Sequence, residues 1–279
     1  MKIWEAIIYG IVGGIAELLP ISFSGHVVLL RNVFHMSSLS EGGGFFIRAA
    51  ICLGIIFAIY LSFSAETRKF GRELSLMIGI RRRARNERVN RLMRRSVMLC
   101  AVSFSIMLCS LFFLASAERI ERLLYIIIFF LIYSAVLFFC CKGRVGKKDE
   151  KSVSIADASI IGVARMLSVF PGLSSLGSSI AVGRARGISV QYNIRIAYLL
   201  TLAYQAALFF FYLIRGFAYG VFSLSVFLPC LFAMLFATVF GYLAIQYFRY
   251  LLQRVKFNVF VYYTLEVAAI ATVVALINA

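Results

Sequence analysis

Charge, proline and histidine are all scarce in this chain. Of its 279 residues only 15% are charged, three are proline and two are histidine, while 62% are hydrophobic. The mean hydropathy of +0.92 excludes a water-soluble domain, which could not cover so much apolar side chain with polar surface. The reading is a polytopic, all-α membrane protein. The six cysteines (Cys52, Cys100, Cys109, Cys140, Cys141, Cys230) fall in apolar stretches without CxxC spacing, which reads as small core or lipid-facing residues and implies neither zinc nor disulfides. The start, Met1-Lys-Ile-Trp-Glu-Ala, carries an acidic residue and no small-x-small cleavage site after a short apolar run. A cleavable signal peptide is therefore not expected, and the first segment stays in the mature protein.

Acidic residues are also few, 12 against 29 Lys and Arg, which gives a net charge of +17. No exposed aromatics interleave the basic residues on a polar face, so nucleic acid is not the expected partner. The basic residues cluster between apolar segments instead, with eleven from Arg68 to Arg95 and five from Lys142 to Lys151. Short loops this basic remain cytoplasmic and lie against anionic membrane lipids.

A helix needs about 20 apolar residues to cross a bilayer. Residues 45–63, 97–116, 123–141, 190–214, 221–248 and 257–278 meet that requirement, giving six transmembrane helices. Two further segments are interrupted: 3–33 at Pro20 and Gly25, and 153–183 at Pro171, Gly172 and Gly177. Each reads as two half-length helices joined at a bend, a re-entrant helical hairpin. With both hairpins re-entrant, the basic loops at 68–95 and 142–151, Arg184 with Arg186, and the 249–256 segment all fall on one face. The order becomes a hairpin and three spans, then the same again. Three is odd, so the halves, about 1–141 and about 150–279, form an inverted-topology repeat. The hairpin tips are expected to meet near the midplane.

Proline and glycine at membrane depth free backbone groups that protein, cavity water or a ligand must satisfy, so the breaks are where function is expected. The first break gathers Glu17, Ser22, Ser24, Gly25 and His26. A carboxylate in an apolar run is costly and marks function unless it is neutralised or bonded to a neighbouring helix end. A histidine beside serines at a helix break can orient or deprotonate a nucleophile, or be a satisfied polar residue. The second break offers Pro171, Gly172, Ser174, Ser175, Gly177, Ser178 and Ser179. A glycine-rich turn entering a helix is a ready phosphate site, although Ser/Gly runs also serve close helix packing.

Gly10-Ile-Val-Gly-Gly-Ile-Ala-Glu17-Leu-Leu-Pro20-Ile-Ser22-Phe23-Ser24-Gly25-His26 is similar to a motif G-x-x-E-G-x-x-E-x-L-P-x-S-S-T-G-H, and Pro171-Gly-Leu-Ser174-Ser175-Leu-Gly177-Ser-Ser179 to P-G-x-S-R-S-G-A-T. Asp157-Ala158 with Gly162, Gly187-Ile-Ser189, Tyr198-Leu-Leu200, and Phe260 with Tyr263 extend the likeness over essentially the whole chain. The chain thus resembles the undecaprenyl-diphosphate phosphatase, or bacitracin-resistance, family.

That resemblance implies six spans with two inverted re-entrant hairpins in the bacterial plasma membrane. It implies a polyprenyl diphosphate lipid as ligand, and removal of its terminal phosphate in lipid-carrier recycling for peptidoglycan. A divalent cation, Mg or Ca, is implied on Glu17, with Ser22, Ser24 and His26 as the catalytic group. A homodimer is a further expectation. The sequence departs from the motifs at Gly13, where the family has a glutamate, at Phe23, where it has serine, and at Ser175, where it has arginine. Arg48 and Arg195 stand where the family has glutamates, and Arg165 lies near the second tip. Losing a carboxylate, a nucleophile and an arginine implies slow chemistry, while added arginines suit a diphosphate bound without metal. Headgroup binding is thus expected at Gly25, Pro171, Gly172, Ser174, Ser175, Gly177, Ser178, Arg48, Arg165 and Arg195. Two activities are compatible with this frame: an impaired or altered phosphatase, and a non-catalytic polyprenyl-phosphate binder or flippase.

Overall fold

In a bilayer an apolar segment satisfies its own backbone only as a helix or a closed barrel, and this chain uses helices. The computed structural model describes residues 2–39, 41–80, 90–120, 122–142, 146–219, 224–254 and 257–277. Among them the first half forms α1 (Ile3–Leu18), α2 (Phe23–Phe34), α3 (Gly44–Ser62), α4 (Ser64–Met77), α5 (Arg91–Leu108), α6 (Ser110–Ala117) and α7 (Leu123–Cys141). The second forms α8 (Ile155–Leu167), α9 (Ser175–Ala185), α10 (Val190–Ala218), α11 (Leu224–Arg254) and α12 (Val259–Ile277). No strand occurs among the described residues, only a bridge between Lys148 and Ile188. Arg81, Arg82, Arg83, Arg85, Arg88, Arg144 and Lys256, counted above among the basic loops, lie outside the described residues.

Five helices, α3, α7, α10, α11 and α12, are long and apolar enough to span a membrane, and α5 with α6 makes a sixth if taken together. The chain is a polytopic membrane protein. The expected span at 97–116 is not straight, because α5 and α6 meet at a 40° bend. At the bend the Cys109 amide bonds the Ile106 carbonyl at 3.1 Å, and the Cys109 sulfur approaches the Ser105 carbonyl at 3.9 Å. Side-chain bonding to a carbonyl one turn back bends a helix in this way. The helix α4, not anticipated, follows α3 directly and buries only Glu73.

The halves pair their helices in corresponding ways: α1 packs on α11 as α8 packs on α5, and α3 on α11 as α10 on α5, while α3 meets α10 and α7 meets α12. Small residues set these approaches. A Cβ on Gly10 would lie 2.5 Å from the Ala233 oxygen, one on Gly14 2.5 Å from the Ala237 oxygen, and one on Gly162 2.8 Å from the Ser103 oxygen. Contact this close replaces the hydrophobic drive that is absent between helices in lipid.

In each broken segment the start of the first helix is bonded to the chain just past the second. The buried Glu5, at the start of α1, accepts the Ser37 amide at 2.9 Å and hydroxyl at 3.0 Å, beyond the end of α2. At the start of α8 the buried Asp157 accepts from Lys148 at 2.9 Å and from Arg186, just past α9, at 2.8 Å. Burial alone would raise the Asp157 pKa, but the Ser154 amide, Lys148 and Arg186 together hold it well below the usual carboxylate range. The ionised form therefore stabilises the fold above about pH 4, and that contribution is lost as the pH falls through the lowered folded-state value. Asp157→Asn is expected to cost about 1–3 kcal/mol by leaving charged donors without their acceptor. Thermal unfolding in detergent checks this: wild type and variant should differ at neutral pH and converge in strong acid.

Candidate functional site

Pro20 ends α1 and leaves carbonyl oxygens without helical partners, and two buried tyrosines from distant helices satisfy them. Tyr198 Oη donates to the Leu18 oxygen at 2.8 Å, and Tyr133 Oη to the Pro20 oxygen at 3.1 Å. The chain then re-enters a helix at Ser22, whose side chain caps α2 by accepting the Gly25 amide at 3.2 Å. The second break repeats this construction. After Pro171, Gly172 takes φ +107°, a region that side-chain-bearing residues avoid, and Ser174 caps α9 by accepting the Gly177 amide at 3.2 Å.

The two breaks touch. Ser22 Oγ, buried, also accepts the Gly172 amide at 3.0 Å, so one hydroxyl caps its own helix and holds the second break. Absent side chains allow the approach: a Cβ on Gly25 would lie 3.0 Å from the Gly172 nitrogen, and one on Gly177 3.0 Å from Pro20 Cβ.

Beside this seam is a cavity of about 1020 Å³, counting its open mouth. Its polar lining includes Glu17, Ser24, Arg48, Ser174, Ser175 and Glu118, and Phe23 and Pro171 are also in the wall. Ser24 Oγ lies 3.2 Å from Ser22 Oγ. Ser22 already accepts two amides, so its proton is free for Ser24. Ser175 Oγ is buried with no hydrogen-bond partner among the described residues. Glu17 has the Gln205 side chain within reach and the positive charges of Arg165 and Arg48 nearby.

The structure thus divides the expected site. Glu17, Ser24, Arg48, Pro171, Ser174 and Ser175 line the cavity. Ser22, Gly25, Gly172 and Gly177 form the seam behind it, and Ser178 is buried with its amide on the Ser174 oxygen at 2.8 Å. His26 is not in the cavity wall. Its Nδ1 meets the Ser22 carbonyl, which can only accept, so in the neutral ring Nδ1 carries the proton and Nε2 accepts the Tyr263 hydroxyl at 2.7 Å. Both ring nitrogens are used, which leaves neither to activate Ser24.

Arg165 and Arg195 are also elsewhere. Arg165, 2% exposed, spends its donors on Ser179 at 3.0 Å, Thr201 at 2.9 Å, the Ala197 oxygen at 3.3 Å and the Met107 sulfur at 3.0 Å. Arg195 pairs with Glu150 and stacks over Tyr192. Glu118 and Tyr212 also line the cavity, at positions that no sequence motif marks. Arg48 Nη1 donates to Glu118 and, at 2.7 Å, to Tyr212 Oη, and Tyr212 Oη lies 2.7 Å from Glu118 Oε1. The available signal was the pair of charges at the ends of apolar runs, Glu118 after α6 and Arg215 near the end of α10.

Gly13 and Phe23, two positions at which the sequence departs from the motif it resembles, face each other. A Cβ on Gly13 would stand 2.6 Å from Ile51 Cγ2 and 3.5 Å from the Phe23 ring. Gly13→Glu alone is expected to destabilise by about 1–3 kcal/mol through overpacking. Gly13→Glu with Phe23→Ser should recover part of the loss, since the Ile51 contact remains. Unfolding midpoints of the two variants decide it, and equal midpoints would show that Phe23 does not fill the space.

A single metal centre is not formed by the side chains alone. Among the described residues no three of His, Cys, Asp and Glu stand together, and Glu118 is already bound to arginines. A hard divalent cation takes six or more oxygen ligands, so Glu17 by itself does not fit a resident one.

Residues 6–270 match the family model described as bacitracin resistance protein BacA. Among similar curated proteins, an undecaprenyl-diphosphatase of Methanosphaera stadtmanae is 28% identical over 287 residues, covering 99% of either chain. One of Methanobrevibacter smithii is 26% identical over 268 residues, covering 94% of each. One of Alkaliphilus metalliredigens is 26% identical over 281 residues, covering 99% of this chain and 100% of the relative.

Proposed function

Because the chain belongs to the bacitracin resistance protein BacA family, we propose that it is an undecaprenyl-diphosphate phosphatase of the bacterial plasma membrane. It binds a polyprenyl diphosphate headgroup between the two breaks and removes the terminal phosphate. The observation that carries this reading is the seam at Ser22, which joins the Gly25 and Gly172 amides beside a cavity lined by Glu17, Ser24, Ser175 and Arg48. α1 with α2 and α8 with α9 are the re-entrant hairpins of an inverted repeat. The corresponding helix pairings of the two halves support that arrangement. The basic loops face the cytoplasm against anionic lipids.

In this mechanism Ser24 Oγ attacks the terminal phosphorus and Glu17 takes its proton. The bridging P–O bond breaks, and polyprenyl monophosphate leaves. Water then hydrolyses the phosphoserine, releasing inorganic phosphate and restoring the serine. Arg48 and the Ser174 and Ser175 hydroxyls hold the phosphate oxygens. No step is routed through a divalent cation.

The test is phosphate release from undecaprenyl diphosphate by purified protein in detergent, with and without magnesium, alongside binding of labelled lipid. Release above background supports the enzyme. Binding without release replaces it with a non-catalytic binder or flippase.

A further inference from the structure

The cavity wall carries an ion-pair cluster of which the proposed mechanism uses only Arg48. Glu118 follows the last residue of α6, where the helix dipole disfavours a carboxylate. It is held there by two arginines from other helices. Arg48 of α3 pairs with Glu118 Oε1, and Arg215 of α10 with Oε2 at 3.1 Å. Tyr212 Oη bridges Arg48 and Glu118. Aromatic rings fix the Arg215 guanidinium, with Phe45 at 4.6 Å, Phe211 at 5.6 Å and Tyr219 at 5.8 Å.

Two guanidinium groups on one carboxylate leave a net positive charge in a largely apolar wall. Arg48 is 8% exposed, lines the cavity, and has a buried Nε without a partner among the described residues. The helix preceding Glu118 is short and bent by 40° from α5, and it turns Phe112 and Phe113 outward toward lipid. Glu118 is therefore an anion on an arm attached through a bend, seated on two anchored cations.

We propose that Arg48 in the cavity wall and Arg215 behind Glu118 extend the anion site, on which Glu118 sits as an internal substitute for phosphate, so that a diphosphate binds by displacing Glu118 and swinging α6 about its bend. This rests on the reading of the cavity as a polyprenyl diphosphate site. The ligand class is a diphosphate, whether carried on a lipid or free. Glu118 sets the threshold for occupancy: weakly charged headgroups do not dislodge it, and a diphosphate does. A ligand that must displace a latch binds more weakly by the fraction of molecules in which the latch is open.

The experiment measures affinities of the full chain in detergent for farnesyl diphosphate and inorganic diphosphate by calorimetry. It compares wild type, Glu118→Gln, Arg48→Gln and the double variant. Glu118→Gln is expected to tighten diphosphate binding about tenfold, the gain from removing a latch open in about one molecule in ten. Arg48→Gln should weaken it about tenfold or more, and the double variant should recover part of that loss. A folded Glu118→Gln protein that binds both ligands no better than wild type overturns the proposal. If wild type still binds farnesyl diphosphate in that case, the functional reading stands and only the latch falls. If inorganic diphosphate tightens in Glu118→Gln while no form binds farnesyl diphosphate, the latch stands and the lipid reading falls. Should Glu118→Gln fail to fold, the double variant is compared with Arg48→Gln: tighter binding by the double variant supports the proposal, and equal binding overturns it.

Discussion

Glu17→Gln is expected to reduce phosphate release from undecaprenyl diphosphate by about 10²–10⁴-fold, the usual contribution of a positioned general base. Glutamine keeps the shape and the reach to Gln205, so lipid binding and thermal stability should change little. Ser24→Ala should lose activity to a similar degree, whereas His26→Gln should lose less, since both nitrogens of that ring serve the Ser22 carbonyl and Tyr263. The order of the three separates this site from one built around the histidine. Ser24→Ala retaining half the wild-type rate would remove Ser24 as nucleophile, and a His26→Gln loss equal to that of Glu17→Gln would restore the imidazole to the chemistry. Single-turnover measurements make the comparison clean, because slow product release can mask a chemical defect.

Gly177→Ala is expected to be the most damaging single methyl group in the protein. The added Cβ would lie 1.7 Å from Tyr133 Oη and 3.0 Å from Pro20 Cβ, at the point where the second break meets the first. Tyr133 cannot simply move aside, because it is fully buried and its hydroxyl satisfies the Pro20 carbonyl at 3.1 Å. Overpacking and the lost hydrogen bond together should cost about 3 kcal/mol or more. Gly177→Ala with Tyr133→Phe removes the clashing oxygen and should recover part of the stability, though not the bond to Pro20. Gly71→Ala, where nothing lies within 4 Å of the added atom, is the control and should leave the midpoint unchanged or slightly higher. Unfolding midpoints in detergent give the comparison, and a Gly177→Ala protein as stable as wild type would mean that the seam is not closely packed.

The sequence and the structure agree where local chemistry decides. Six apolar runs gave five spanning helices and one bent pair, and both proline breaks stand where the sequence interrupts its own helices. The bend after Cys109 was not legible, because it depends on sulfur and hydroxyl contacts within a run that remains apolar throughout. Within the site, Glu17 and Ser24 line the cavity as their positions at the break suggested, and Arg48 does so although nothing local aims it there. Arg165 and Arg195 read as further phosphate ligands only while their partners, Ser179 with Thr201 and Glu150, were unknown.

What the sequence alone determined is therefore the membrane class and the two breaks. Proline and glycine act on the backbone within a few residues of themselves. The tertiary structure alone decided which polar groups face the cavity. The Gly172 amide meets Ser22 across 150 positions, His26 meets Tyr263 across 237, and Arg48 meets Glu118 across 70. A buried polar group takes whichever partner the packed helices bring to it, because leaving it unsatisfied in an apolar interior costs more than any local preference can supply. Ser22 is thereby committed to the seam and His26 to Tyr263, which leaves Ser24, Glu17 and the arginine-bound Glu118 to face whatever enters the cavity.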